Sequence, residues 1–223
     1  MNVLSKKEPS PRITYLGLFL VLVVPSLYVL LIGPYLFEYF PNQKAEIIAG
    51  LLMMWLLVLS ILVITRHAEN FTLSSMGLIW PTRGMVFQAI GIGLLLMLTV
   101  PILSIFASSV IPGEGSSMET VTQIPWWLML CSVLTAGITE EILFRGYALE
   151  RLEKLIGGKF LSSVVALTFF VLVHIGGWNL AHVVGVVIPL GIALILLYWW
   201  KRNTVMLMII HVIINLPMVF LAF

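Results

Sequence analysis
Seven apolar runs, each about the length of a membrane crossing, fix most of what this chain can become. They cover Tyr15 to Phe37, Ala45 to Thr65, Met85 to Ile111, Pro125 to about Arg151, Phe160 to about Gly176, Leu180 to Trp200 and Thr204 to the C-terminus. A helix of about 20 residues spans the hydrocarbon core of a bilayer. The expected fold is therefore all-α, a polytopic transmembrane bundle of about seven helices. Of the 223 residues, 61% are hydrophobic and only 10% charged, where a soluble domain carries about 25%. No polar stretch is long enough for a second module, so residues 1–223 read as a single transmembrane domain with a polar N-terminal segment over 1–13. Pro25 and Pro34 break the first run, Pro101 should kink the third helix, and Pro125 suits the first turn of the fourth. Pro112 to Gln123 reads as a Gly/Ser-rich loop, and Arg66 to Arg83 as a polar link holding His67, Glu69 and Asn70. The first run is too long for a cleaved leader and lacks a small-residue cleavage site.

The basic residues give an orientation. With the N-terminus in the cytoplasm, the cytoplasmic segments hold Lys6, Lys7, Arg12, Arg66, Arg83, Arg151, Lys154, Lys159, Lys201 and Arg202, and the outer loops hold only Lys44. That is the positive-inside pattern for seven spans. A net charge of +2 gives no reason to expect nucleic acid as a partner. The single cysteine, Cys131, excludes an intrachain disulfide and is expected to be a small buried packing residue. Trp80, Trp126, Trp127, Trp199 and Trp200 read as an interfacial aromatic belt.

Against this apolar background, Glu140, Glu141 and Arg145 are costly. A charge at the bilayer centre costs about 2.5–3.5 kcal/mol on insertion scales. Glu141 and Arg145 stand four apart in the favourable order for a helical ion pair. Glu140 lies about 100° around the helix and is left without that partner. An unneutralised intramembrane carboxylate points to function. Ala136 and Gly137, on its face, leave room for a neighbouring helix, a water or a substrate. Phe170 and His174 share a face of the fifth helix, and His211 and Asn215 share one of the seventh. From the basic flanks, Glu140 lies about 16 Å deep, His174 about 22 Å and His211 about 13 Å at helical rise. They can meet between the midplane and the cytoplasmic side, with the site opening toward the cytoplasm.

A carboxylate, two imidazoles and an amide form a hydrolytic set. Glu serves as general base, one His orients water, and His and Asn donate to an oxyanion. The same residues also suit a divalent metal such as zinc, with Glu140, His174 and His211 as ligands. Trp178 and His182 continue the face of His174 and read as structural, with His182 a possible outer-shell partner. No Walker loop, HExxH, GxSxG or cysteine cluster is present.

The pattern resembles the CPBP intramembrane endopeptidases, also called the type II CAAX prenyl protease or Abi family. Their EExxFRG motif matches Glu140-Glu141-Ile142-Leu143-Phe144-Arg145-Gly146, their Phe-x-x-x-His matches Phe170 to His174, and their His-x-x-x-Asn matches His211 to Asn215. The resemblance covers residues 125–223. It implies a membrane-embedded endopeptidase acting on membrane-associated peptides, CAAX-type or bacteriocin or leader peptides among them. Glu140 and His174 would activate water, and His211 and Asn215 would stabilise the oxyanion. Glu141 and Arg145 would form a structural pair or a substrate contact, and Phe170 would pack beside the site. The resemblance favours a glutamic mechanism without a cofactor over a metalloprotease. The family usually has eight helices. A prokaryotic plasma membrane, with lipid and a peptide or protein substrate as partners, fits a short, loop-poor chain. Two other readings of the same residues are a non-catalytic immunity or scaffold protein of this fold and a small proton-coupled transporter using Glu140.

Overall fold
The computed structural model describes residues 11–32, 35, 39–40, 42–111 and 123–222. The N-terminal segment through Ser10, Pro34 and the expected loop up to Thr122 lie outside the described residues. Among the described residues there is no strand. Seven long helices are present among the described residues: α1 Pro11–Leu31, α2 Gln43–Ala68, α3 Arg83–Val110, α4 Trp126–Ile156, α5 Lys159–Ile175, α6 Leu180–Lys201 and α7 Thr204–Leu221. All but α5 are long and apolar enough to cross a membrane.

Helix starts follow side-chain capping. Asn42, Thr82, Asn179 and Asn203 each accept a hydrogen bond from a backbone N–H three residues on. That satisfies one of the amides a helix N-terminus leaves open. Pro125 sits just before α4, at its N-cap. The prolines do not end the helices that contain them. The chain passes through Pro25 and Pro189 just after π-helical turns at Phe19–Val23 and Val183–Val187. A wider turn upstream re-routes the hydrogen bonds that a proline cannot make. Helix α3 is continuous through Pro101.

One end of the bundle is tied shut by buried ion pairs. Glu69, expected in a polar link, is only 1% exposed. It accepts hydrogen bonds from Thr14 Oγ1 at 3.1 Å, Tyr147 OH at 3.0 Å and Arg151 Nε at 2.9 Å. Arg151 also donates to Ser75. Beside it, Arg202 pairs with Glu150 and Glu153, and Tyr198 OH donates to Glu150. Thr204 Oγ1 donates to the Met76 carbonyl at 2.6 Å, and Asn203 to that of Ile79 at 3.0 Å. The 69–79 link is thereby folded onto the ends of α4, α6 and α7. This end also carries Arg66, Arg83, Lys154, Lys159 and Lys201, and is called the basic end below.

Outward faces are apolar: α3 exposes Phe87, Leu98, Ile105 and Phe106. Cys131 is exposed as well, contrary to the buried position expected. In a helix that is apolar all round, hydrophobicity does not separate the lipid face from the core face.

Candidate active site
The double-glutamate segment does not continue α4 as a regular α-helix. From Glu141 to Leu149 it is π-helical, and all nine residues are buried. Glu140 is the last residue before the change. The irregular stretch can pack this tightly because Gly146 lets two other segments touch its backbone. A Cβ there would lie 2.8 Å from the Met76 carbonyl oxygen and 3.3 Å from Thr204 Oγ1.

Gly137 does the same about two and a half turns earlier. A Cβ on it would stand 2.5 Å from Val212 Cγ2 and 3.1 Å from the Val212 amide nitrogen. Its absence brings α4 against α7 and makes the central contact of the site. Glu141, fully buried, accepts a hydrogen bond from His211 Nδ1 at 2.7 Å and another from Arg145 Nη1 at 3.0 Å, both on Oε1. The 141–145 pair is thus the one expected from the spacing. The bond from His211, seventy positions away, was not foreseeable from a local pattern. It puts the Nδ1 proton on the carboxylate side and leaves Nε2 for the cavity. Arg145 is 1% exposed, and its guanidinium lies 4.2 Å from the centre of the Phe170 ring. Phe170 is buried and also packs edge-on against Phe144.

The fifth helix supplies the second imidazole. His174 Nδ1 is 2.7 Å from the Phe170 carbonyl oxygen, so Nδ1 donates and Nε2 is again the free nitrogen. From the basic flank alone, His174 is the deepest of the three groups. The structure accommodates this because α5 has only 17 residues. It is about 25 Å long, short of the roughly 30 Å core, and ends at the depth of the site.

These groups surround a cavity of about 300 Å³ whose wall includes Glu140, Phe170, His174, His182, His211 and Asn215. All four residues expected to act on water or oxyanion therefore line one cavity. Glu141 and Arg145 are not on it; they stand behind His211. Glu140 Oε2 is buried and has no hydrogen-bond partner. A buried polar atom left unpaired costs about 1–3 kcal/mol, and more when charged, so it calls for a water or a substrate group. Trp178 and His182, read from sequence as structural, also line the cavity and stack on each other with ring centres 4.1 Å apart. Their i+4 spacing was the available signal.

Among the described residues no three His, Cys, Asp or Glu side chains are grouped closely enough to hold a metal ion. The expected Glu140, His174 and His211 share the cavity without forming a ligand set.

The opening differs from expectation. Every α4 residue on the cavity wall lies at or before Glu140, every α5 residue at or after Phe170, every α6 residue at or before Leu190, and every α7 residue at or after His211. The cavity thus runs from the site toward the end of the bundle marked by Ile47, Ile124, Trp178 and Met218. That is the end opposite the basic one. Helix rise gave the depth of each group but not which half of the bundle is filled by side chains.

The motifs, their placement on three helices and the shared cavity agree with a comparison of the chain with known families. Residues 122–217 match the Rce1-like family, type II CAAX prenyl endopeptidases. The matched Rce1-like segment contains all three motifs and agrees with the resemblance to CPBP endopeptidases drawn from them. No curated protein and no solved structure gave a match.

Proposed function
We propose that this protein is an intramembrane endopeptidase that hydrolyses peptide bonds of membrane-associated chains with a water activated by Glu140 and His174. The observation that carries the reading is the unpartnered buried carboxylate oxygen of Glu140 on a cavity wall it shares with His174, His211 and Asn215. A water between Glu140 and Nε2 of His174 loses its proton to the carboxylate as its oxygen attacks the carbonyl carbon. The developing oxyanion takes hydrogen bonds from the Asn215 amide and from Nε2–H of His211. That donation uses a proton on Nε2 in addition to the one on Nδ1, the nitrogen held against the Glu141 carboxylate. As the tetrahedral intermediate collapses, Glu140 returns its proton to the leaving amine. Atoms and charge balance without any further reactant.

This route runs without a metal; were a divalent metal such as zinc bound, Glu140, His174 and His211 would be the residues to hold it. No step is assigned to a metal. The protein sits in a prokaryotic plasma membrane with its basic end in the cytoplasm, as the charge asymmetry supports.

The test is Glu140→Gln, compared with wild type by mass spectrometry of a membrane-peptide library. The variant keeps the fold and the thermal transition and loses cleavage by about 10²–10⁴-fold, the usual worth of a general base. Products at wild-type rate would remove Glu140 from the mechanism. A scaffold protein would keep its phenotype, and a transporter would show Glu140-dependent flux without peptide products.

A further inference from the structure
The direction in which the cavity opens is independent of the motifs and has a consequence for substrate choice. Below Glu140 and His211 the bundle is solid. Leu143, Tyr147, Leu149, Leu194, Tyr198 and Met206 have no exposed surface, and the Glu69–Arg151 and Glu150–Arg202 clusters close the basic end beneath them. Above the site, among the described residues, the cavity reaches Ile47, Ile124, Trp178 and Met218. A second hollow of about 270 Å³ shares Ile47 and Ile124 with the cavity and continues it outward. Its lining adds the polar side chains of Asn42, Gln43, Lys44 and Gln123 to the apolar Ile47, Ile124 and Pro125. Amide side chains offer both donors and acceptors and suit a peptide backbone. The ten basic residues flanking or beyond the closed end, against Lys44 alone at the open end, orient the closed end to the cytoplasm.

We propose that substrate reaches this site from the extracytoplasmic face, and that the hollow lined by Asn42, Gln43 and Gln123 holds the stretch of extended peptide backbone lying outside the cut bond. The substrates are then segments displayed on the outer side of the membrane, translocated peptides or outer loops of membrane proteins, rather than cytoplasmic tails. This rests on the peptidase reading for the identity of the occupant, but not for the side of entry.

The test uses the full chain with Cys131→Ser as background, in right-side-out and inside-out membrane vesicles. Single cysteines are placed at Ser132 in the cavity, at Gln123 in the hollow and at Lys159 on the basic end. Each is treated with a charged, membrane-impermeant thiol reagent. Ser132→Cys and Gln123→Cys label in right-side-out vesicles and not in inside-out ones, and Lys159→Cys does the reverse. Labelling of Ser132→Cys or Gln123→Cys from the same side as Lys159→Cys, or of Lys159→Cys from outside, overturns the proposal, as does a Ser132→Cys that reacts from neither side. Gln123→Cys keeps the test alive if Ser132→Cys does not fold. A bulky maleimide on Gln123→Cys then abolishes cleavage of the peptide library; undiminished cleavage removes the hollow from the substrate path. Should wild type cleave nothing while Ser132→Cys still labels from outside, the peptidase reading fails and the outward mouth stands.

Discussion

Gly137 offers the sharpest perturbation, because it separates the stability of the bundle from the geometry of the site. Gly137→Ala adds a methyl group 2.5 Å from Val212 Cγ2 and 3.1 Å from the Val212 nitrogen. Carbon atoms settle at about 3.5–4.0 Å, so about 1 Å must be found. Val212 cannot swing aside, since a β-branched side chain in a helix has essentially one χ1 state. The helices must part instead. The His211–Glu141 bond, 2.7 Å long, would stretch to about 3.7 Å, beyond hydrogen-bonding distance. Overpacking costs about 1–3 kcal/mol, partly offset by about 1 kcal/mol from replacing a helical glycine with alanine. The net loss of stability is therefore about 0–2 kcal/mol. Activity should fall far more, since a misplacement of 1 Å costs about 10²-fold. The assay is kcat/KM on a cleaved library peptide, read beside the thermal transition in the same detergent. Val212→Ala in the same molecule removes the Cγ2 clash and restores most of the rate, leaving only the milder contact with the amide nitrogen. Wild-type rates for Gly137→Ala, or a double variant no faster than the single one, would refute the claim that this close approach positions His211.

Three further outcomes follow from the same contacts. Glu141→Leu strands Arg145 and His211 Nδ1 in a dry interior; it should cost about 3–5 kcal/mol, as breaking a buried ion pair does, read as a lower midpoint in thermal or denaturant unfolding. Tyr147→Phe removes the hydroxyl that donates to Glu69 and packs against Gly17, so stability should drop by about 1 kcal/mol with cleavage unchanged; a lost rate would mean the basic-end clasp reaches the site. Stripping metal with a chelator such as phenanthroline should leave cleavage intact, and loss restored by added zinc would replace the glutamic route with a metal-dependent one.

Much of the site was readable because its signals are local. Apolar run length determines helix number, and among the described residues the seven runs became seven helices with ends shifted by a few residues, except in α1, which starts four residues earlier while its expected end at Phe37 lies outside the described residues, and α4, which runs on to Ile156. Spacings of four put Glu141 beside Arg145 and Phe170 beside His174, and those contacts formed. What stayed hidden depends on partners distant in the chain. Nothing near Glu141 announces His211, and nothing near Glu69 announces Arg151 and Tyr147, so a buried clasp was read as a polar link. Cys131 was misjudged because a lipid-facing residue and a core residue can both be apolar. Which end of the bundle the cavity faces was not legible, because it depends on where bulky side chains fill the bundle, which depth along a helix does not report. The π-helical course of Glu141–Leu149 arises from packing around Gly146 and has no signature in apolar periodicity.

A recess that is blind at the bottom also governs traffic. On the peptidase reading proposed above, a chain could not be threaded through it from one leaflet to the other; it would dip in as a loop or an end, be severed, and both fragments would withdraw on the side they came from. Each turnover is then a separate visit, release competes with re-entry of the shorter piece, and targets with a loose, unfolded stretch near the bilayer surface should be cut ahead of firmly folded ones.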